Sequence, residues 1–159
     1  LGYHVVALTG KADGADYLKK LGAAEIKLRG ELDLSKIKPL DKAAWQGAVD
    51  NLGGEVLAWM ASTMKFNGVI ASIGLAAGVG LNTTVMPFIL RGVSLLGINS
   101  TDAPSPELER EVWGRLASDM KPPGLKDMAR TISFADLPKV FDDFIQSRVT
   151  GRIVVDLNL

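Results

Sequence analysis

The chain has 159 residues, 47% of them hydrophobic and 23% charged, within the range that one compact domain with a real core occupies. Its 18 basic and 18 acidic side chains cancel and no block of like charges occurs, which argues against nucleic acid or a charged membrane surface as partner and leaves a small molecule or another protein chain. Cysteine is absent and His4 is the single histidine, so no disulfide framework and no Cys/His zinc site can form, a composition that fits the cytoplasm; no apolar run is long enough to span a bilayer.

In chain order, residues 3–8 read as a buried strand already under way. The chain opens on Leu1 rather than Met, so it is expected to begin in mid-fold. Thr9-Gly10-Lys11 turns it into a helix carrying Tyr17, Leu18 and Leu21, which Gly22 stops. A short strand 25–28 follows, then a polar connector to Lys42 and a strand 46–50 ended by Asn51 to Gly54. Val56, Leu57, Met60 and Met64 share one helical face, and Asn67-Gly68 leads into the strand 69–73.

The small-residue loop 74–80 and a short apolar helix near 85–90 precede the strand 93–98 (Val93-Ser94-Leu95-Leu96-Gly97-Ile98). Ser105-Pro106-Glu107 has the form of a helix start, with Leu108, Val112, Leu116 and Met120 expected to make a buried stripe behind it. A strand 129–133, a helix with Leu137, Val140, Phe141, Phe144 and Ile145, and a β-branched strand 151–156 complete the pattern. The scattered Trp45, Trp59 and Trp113 read as core packing.

Strands apolar on both faces, alternating with helices, predict an α/β fold with a doubly wound parallel sheet. Ligands of such sheets lie beyond the carboxyl ends of the strands, which selects residues 9–11, 51–53, 74–78 and 99–102. If the first strand is the second of a Rossmann unit, its tip should carry an acid for the ribose of NAD, or small residues and a cation for the 2′-phosphate of NADP. Thr9-Gly10-Lys11 has no acid and supplies a hydroxyl, a backbone N–H and an ammonium, which favours NADP; the alternative is a plain turn with a solvated lysine. Gly74-Leu75-Ala76-Ala77-Gly78 permits close approach of a ring or pyrophosphate, or is simply a small-residue loop. Asn99 and Ser100 could meet a carboxamide, or only cap their loop. Asp50 and Asp102 have no local partner, no G-x-S-x-G occurs, and neither tyrosine starts a Tyr-x-x-x-Lys pair, so hydrolase and short-chain dehydrogenase chemistry are disfavoured.

Gly2-Tyr3-His4-Val5-Val6-Ala7-Leu8-Thr9-Gly10-Lys11, Tyr17-Leu18-Lys19-Lys20-Leu21-Gly22-Ala23, Asn51-Leu52-Gly53-Gly54, the 74–78 loop, Thr84-Val85-Met86-Pro87-Phe88-Ile89-Leu90-Arg91-Gly92-Val93 and Gly151-Arg152-Ile153-Val154-Val155 occur in this order. Together they closely resemble the cofactor domain of the acrylyl-CoA reductase branch of quinone oxidoreductase-like proteins, within the medium-chain dehydrogenase/reductase superfamily. The resemblance covers almost the whole chain, with the T-V-M-P-F-I-L-R-G-V segment its most diagnostic part.

The resemblance implies a zinc-independent, NADPH-dependent reductase of activated carbon–carbon double bonds, in which hydride passes from the nicotinamide to the β-carbon of an enoyl thioester such as acrylyl-CoA. It implies cofactor roles for Thr9, Gly10 and Lys11 at the 2′-phosphate with Arg29 beside them. It likewise places Gly74, Leu75 and Ala76 near the nicotinamide ribose, Asn99 and Ser100 at the carboxamide, and Arg152 near the cofactor. No residue here is expected to act as catalytic proton donor or metal ligand. Residues 1–159 are expected to be a partial Rossmann domain lacking its first strand and glycine-rich loop, with the N-terminal GroES-like catalytic domain outside the chain and the fragment alone inactive. Quinone or alcohol/aldehyde reduction, and a non-catalytic nucleotide-binding module, are the alternatives. A homodimer through the edge strand 93–98 is expected.

Overall fold

The computed structural model describes residues 2–102 and 104–159, which fall into two compact units: the residues up to Arg29 together with Glu109–Leu159, and Gly30–Leu108. In the first unit β1 (Val6–Thr9), α1 (Ala15–Lys20) and β2 (Glu25–Leu28) form one βαβ turn, and β6 (Ala129–Ser133), α5 (Leu137–Ile145) and β7 (Arg152–Asp156) form another. The second unit holds β3 (Trp45–Asp50), α2 (Gly54–Thr63), β4 (Met64–Ser72), α3 (Met86–Arg91) and β5 (Ser94–Gly97). The helix α4 (Pro106–Ala117) contains the division between the two units.

Every ladder is parallel, as the alternation of apolar strands and helices predicts. The strands do not form one continuous sheet. They pair as β1-β2, β3-β4-β5 and β6-β7, so that among the described residues β1 and β3 are each hydrogen-bonded on one side only.

In the second unit the register sets Ala48, Ile70 and Leu95 in one row facing α2 and α3. There they pack with Leu57, Ala61, Met64 and Val93 into a core edged by Trp45, Met60 and Phe88. Full burial of a side chain such as Ile70 or Met64 contributes roughly 1.5–3 kcal/mol. The opposite face of the same strands carries Val49, Val69 and Leu96, which remain 65%, 40% and 49% exposed. Strands apolar on both faces are therefore present, but only one face is covered.

The remaining differences from the expected pattern have local causes. Met64 does not close α2; it opens β4 in extended backbone and sits fully buried in the core. Asn67 adopts φ 55° inside β4, so the expected Asn-Gly turn interrupts that strand and does not precede it, and the register with β3 shifts there. Tyr3 lies ahead of β1 and is exposed, as is His4, whose ring meets Glu25 at 2.9 Å. Ser105 caps α4 as expected, accepting from Leu108 N at 3.2 Å. The stripe behind it is not buried: Leu108, Val112, Leu116 and Met120 all stay exposed, and so does Trp113, the helix burying none of its described residues. In α5 Val140 is buried while Phe141, Phe144 and Ile145 are exposed. No helix among the described residues is long and apolar enough to cross a membrane.

Candidate functional site

In the first unit the parallel register sets Thr9 opposite Leu28, so the residues that follow, Gly10 and Arg29, leave their strands side by side. A Cβ on Gly10 would lie 3.2 Å from Arg29 Nη2, so the bare glycine is what lets the guanidinium lie against this turn. Thr9 Oγ1 accepts from Lys11 N at 3.0 Å, and Gly14 N donates to Lys11 O, which starts the short turn into α1. Lys11 Nζ donates to Val149 O in the loop before β7. An ammonium has three donors, so two remain for a ligand. Arg152 opens β7 three residues after Val149 and is exposed. The structure thus gathers Thr9, Gly10, Lys11 and Arg29 at one tip and anchors the loop that leads to Arg152 against it.

That donor set fits a phosphorylated ribose. Neither Lys11 nor Arg29 is ion-paired with an acid among the described residues, and the guanidinium offers a planar fork suited to a phosphate. Asp13 and Asp16 lie one turn on, in the first turns of the short helix Ala12–Gly14 and of α1.

In the second unit the tips of β3 and β4 are welded backbone to backbone. Ile73 N donates to Asp50 O at 2.9 Å, Ala76 N to Asn51 O at 3.3 Å and Ala77 N to Leu52 O at 2.8 Å, while Gly53 and Gly78 form a parallel bridge. The approach demands glycine. Gly53 adopts φ 67° and ψ −157°, a region open essentially to glycine alone, and a Cβ on Gly74 would lie 2.5 Å from Asn51 O. Gly74, Leu75 and Ala76 therefore sit on the Asn51–Gly53 turn, with Leu75 exposed.

Asp50, expected from the sequence to have no local partner, in fact organises that turn through Leu52 and Gly53. It is fully buried, and its carboxylate accepts from Leu52 N at 3.1 Å, from Gly53 N at 3.0 and 3.2 Å, and from Ser72 Oγ at 3.1 Å. The local sign was an acid ending an apolar strand just ahead of Asn-Leu-Gly-Gly; Ser72 lies 22 residues further on and could only be supplied by strand pairing. Asn99 and Ser100 follow β5 in an exposed loop. Asn99 Oδ1 accepts from Thr101 N at 3.2 Å and Thr101 Oγ1 at 2.8 Å, so its oxygen holds its own loop and its amide N–H groups alone remain for a ligand. Among the described residues no three His, Cys, Asp or Glu side chains are grouped to hold a metal ion.

No family model matches the chain. Acrylyl-CoA reductase AcuI of Ruegeria pomeroyi is 44% identical over 99% of this chain and 48% of its own length. Over almost its whole length the chain is thus similar to part of an acrylyl-CoA reductase. The Bacillus subtilis protein YhfP, which carries a quinone oxidoreductase name, is 45% identical over 98% of the chain and 47% of its own length. The crystal structure of that Bacillus protein, with NAD bound, superposes with a TM-score of 0.90 over 98% of this chain and 47% of its own. The structure of Escherichia coli YhdH with bound NADPH superposes with a TM-score of 0.89 at 40% identity, over 99% of this chain and 48% of that one. The chain spans about half the length of these proteins.

Proposed function

We propose that the chain is the NADPH-binding portion of an oxidoreductase that reduces an activated carbon–carbon double bond, with acrylyl-CoA or a related enoyl thioester as acceptor. The observation that carries this reading is the tip of β1, where no acid stands, the Arg29 guanidinium lies against Gly10 and the Lys11 ammonium is held at Val149 O. Bound NADPH supplies the hydride. Lys11, Arg29 and the Thr9-Gly10 turn hold the 2′-phosphate, and Arg152 adds positive charge beside the cofactor. The Gly74-Leu75-Ala76 backbone and the Asn99-Ser100 loop orient the nicotinamide side. These residues bind and orient, and none moves a proton.

The length of the relatives, about twice this chain, supports a further GroES-like domain that carries the acceptor cleft. A second reading, quinone reduction, is favoured by the name of the Bacillus relative. Steady-state assays of the full-length protein decide between the two. NADPH oxidation driven by acrylyl-CoA, with kcat/KM well above that for p-benzoquinone, is expected. The reverse order overturns the enoyl assignment, and dinucleotide binding without turnover of either acceptor leaves a non-catalytic nucleotide-binding module.

A further inference from the structure

We infer that Asp50 is a positioning residue for the nicotinamide side of the proposed site: its buried carboxylate sets the Gly74-Leu75-Ala76 backbone through the Asn51–Gly53 turn. The inference rests on the NADPH reading above and adds a residue to it. Asp50 and Ser72 end the neighbouring strands β3 and β4 and are partners in the ladder. The carboxylate bonds the hydroxyl of one strand end and two backbone N–H groups of the turn that leaves the other. One side chain therefore fixes the splay of two loops at the carboxyl end of the sheet, where ligands of such folds lie.

In the second loop, Ala76 N and Ala77 N donate to the Asn51 and Leu52 carbonyls, and Gly74 rests against the Asn51 backbone with no room for a Cβ. A shift of the Asn51–Gly53 turn is thus passed directly to Gly74, Leu75 and Ala76. Burying a carboxylate costs free energy unless hydrogen bonds compensate it, and here three donors converge on it. Turn formation alone needs less, since an exposed Asn or Ser closes such a turn elsewhere in this chain, as Asn99 does. The additional bond from Ser72 joins the turn to the end of β4, from which the second loop departs.

Hydride transfer is sensitive to displacements near 1 Å, which can cost on the order of a hundredfold in rate, so loosening this support should affect the nicotinamide end selectively. The test uses the full-length protein with Asp50→Ala, Asp50→Asn and Ser72→Ala, reading thermal midpoint, kcat, and the Kd values of NADPH and of adenosine 2′,5′-bisphosphate, which lacks the nicotinamide half. Asp50→Ala is expected to lower kcat and weaken NADPH binding by about tenfold each, while the bisphosphate Kd stays within about twofold. Asp50→Asn keeps an acceptor oxygen for the turn and should restore most of both. Unchanged kcat and NADPH affinity in a folded Asp50→Ala protein overturn the inference, as does an equal loss for NADPH and the bisphosphate. Should Asp50→Ala fail to fold, Ser72→Ala decides: a selective fall in kcat of about threefold supports the inference and wild-type kinetics overturn it. Wild-type protein that binds the bisphosphate no better than AMP and ignores NADPH overturns the cofactor reading itself, and is told apart because it appears before any substitution is made.

Discussion

Lys11 is held by a carbonyl, and that changes what its replacement does. Its ammonium is oriented by Val149 O and keeps two donors directed elsewhere, with the Arg29 guanidinium lying against the next residue back. Lys11→Glu would lose the bond to Val149 and place a carboxylate where a 2′-phosphate is proposed to lie. NADPH affinity is expected to fall at least about a hundredfold, from lost attraction and added repulsion together, while NADH affinity changes only a few-fold. Isothermal titration of the full-length protein with both dinucleotides measures this; equal losses would show that Lys11 does not read the phosphate. At Gly74 the constraint is steric. Its missing Cβ would meet the Asn51 carbonyl carbon and Cα at 2.9 Å, so backbone must move to admit it. Gly74→Ala is expected to cost about 1–3 kcal/mol in urea unfolding of the full-length protein, with Gly97→Ala, where a Cβ meets nothing within 4 Å, costing far less. The turn at Thr9-Gly10-Lys11 was legible in the sequence because it is local to three residues. The role of Asp50 was not, because Ser72 reaches it only through the β3–β4 ladder.

Among the elements, α2 shows how a helix end is finished from a distance. The Arg91 guanidinium, at the last residue of α3, donates to the carbonyls of Ser62 and Met64 at 2.9 Å each and to Asp41 O at 2.5 Å. It thereby caps the negative end of α2 and pins the connector ahead of β3. Arg91→Ala leaves these carbonyls without that partner and is expected to cost about 2–4 kcal/mol, with Arg91→Lys recovering less than half, because an ammonium cannot span the fork. Chemical denaturation checks both. A weaker, titratable contribution comes from exposed pairs. The hydrogen bond from Arg115 holds the Asp119 carboxyl below its ordinary range, and the bonds from Lys139 and Ser133 do the same for Asp136. A carboxyl whose folded pKa is depressed adds stability that is complete above its unfolded pKa and disappears as pH falls through the folded one. The stability gap between wild type and Asp119→Asn should therefore be widest near neutrality and close in acid, and should shrink with added salt. A gap that is constant with pH would remove this ion pair from the account. Element type and order were largely readable from periodicity; the burial of α4 was misjudged because a stripe at helical spacing records a need for cover and not its presence.

For the molecule as a whole, the parallel α/β class followed from strands such as 93–98 that are apolar on both faces. The division into three ladders did not, since pairing between distant strands leaves no local mark. One consequence is visible at β5. Among the described residues it is bonded to β4 on one side only, and Leu96 and Ile98 on or beside it remain 49% and 45% exposed. An uncapped apolar edge is a liability that proteins cover, and a second copy of the same strand is a simple cover because a two-fold axis makes one surface complementary to itself. We therefore expect the full-length protein to be a homodimer joined at β5. Leu96 lies on the open face and not among the core residues of its own unit, so Leu96→Lys can weaken the association without emptying that core. Small-angle scattering across a concentration series should give twice the chain mass for the wild type and a shift toward single mass for Leu96→Lys, with circular dichroism unchanged. A wild-type protein that scatters as a single chain at all concentrations would mean that some other segment covers this edge.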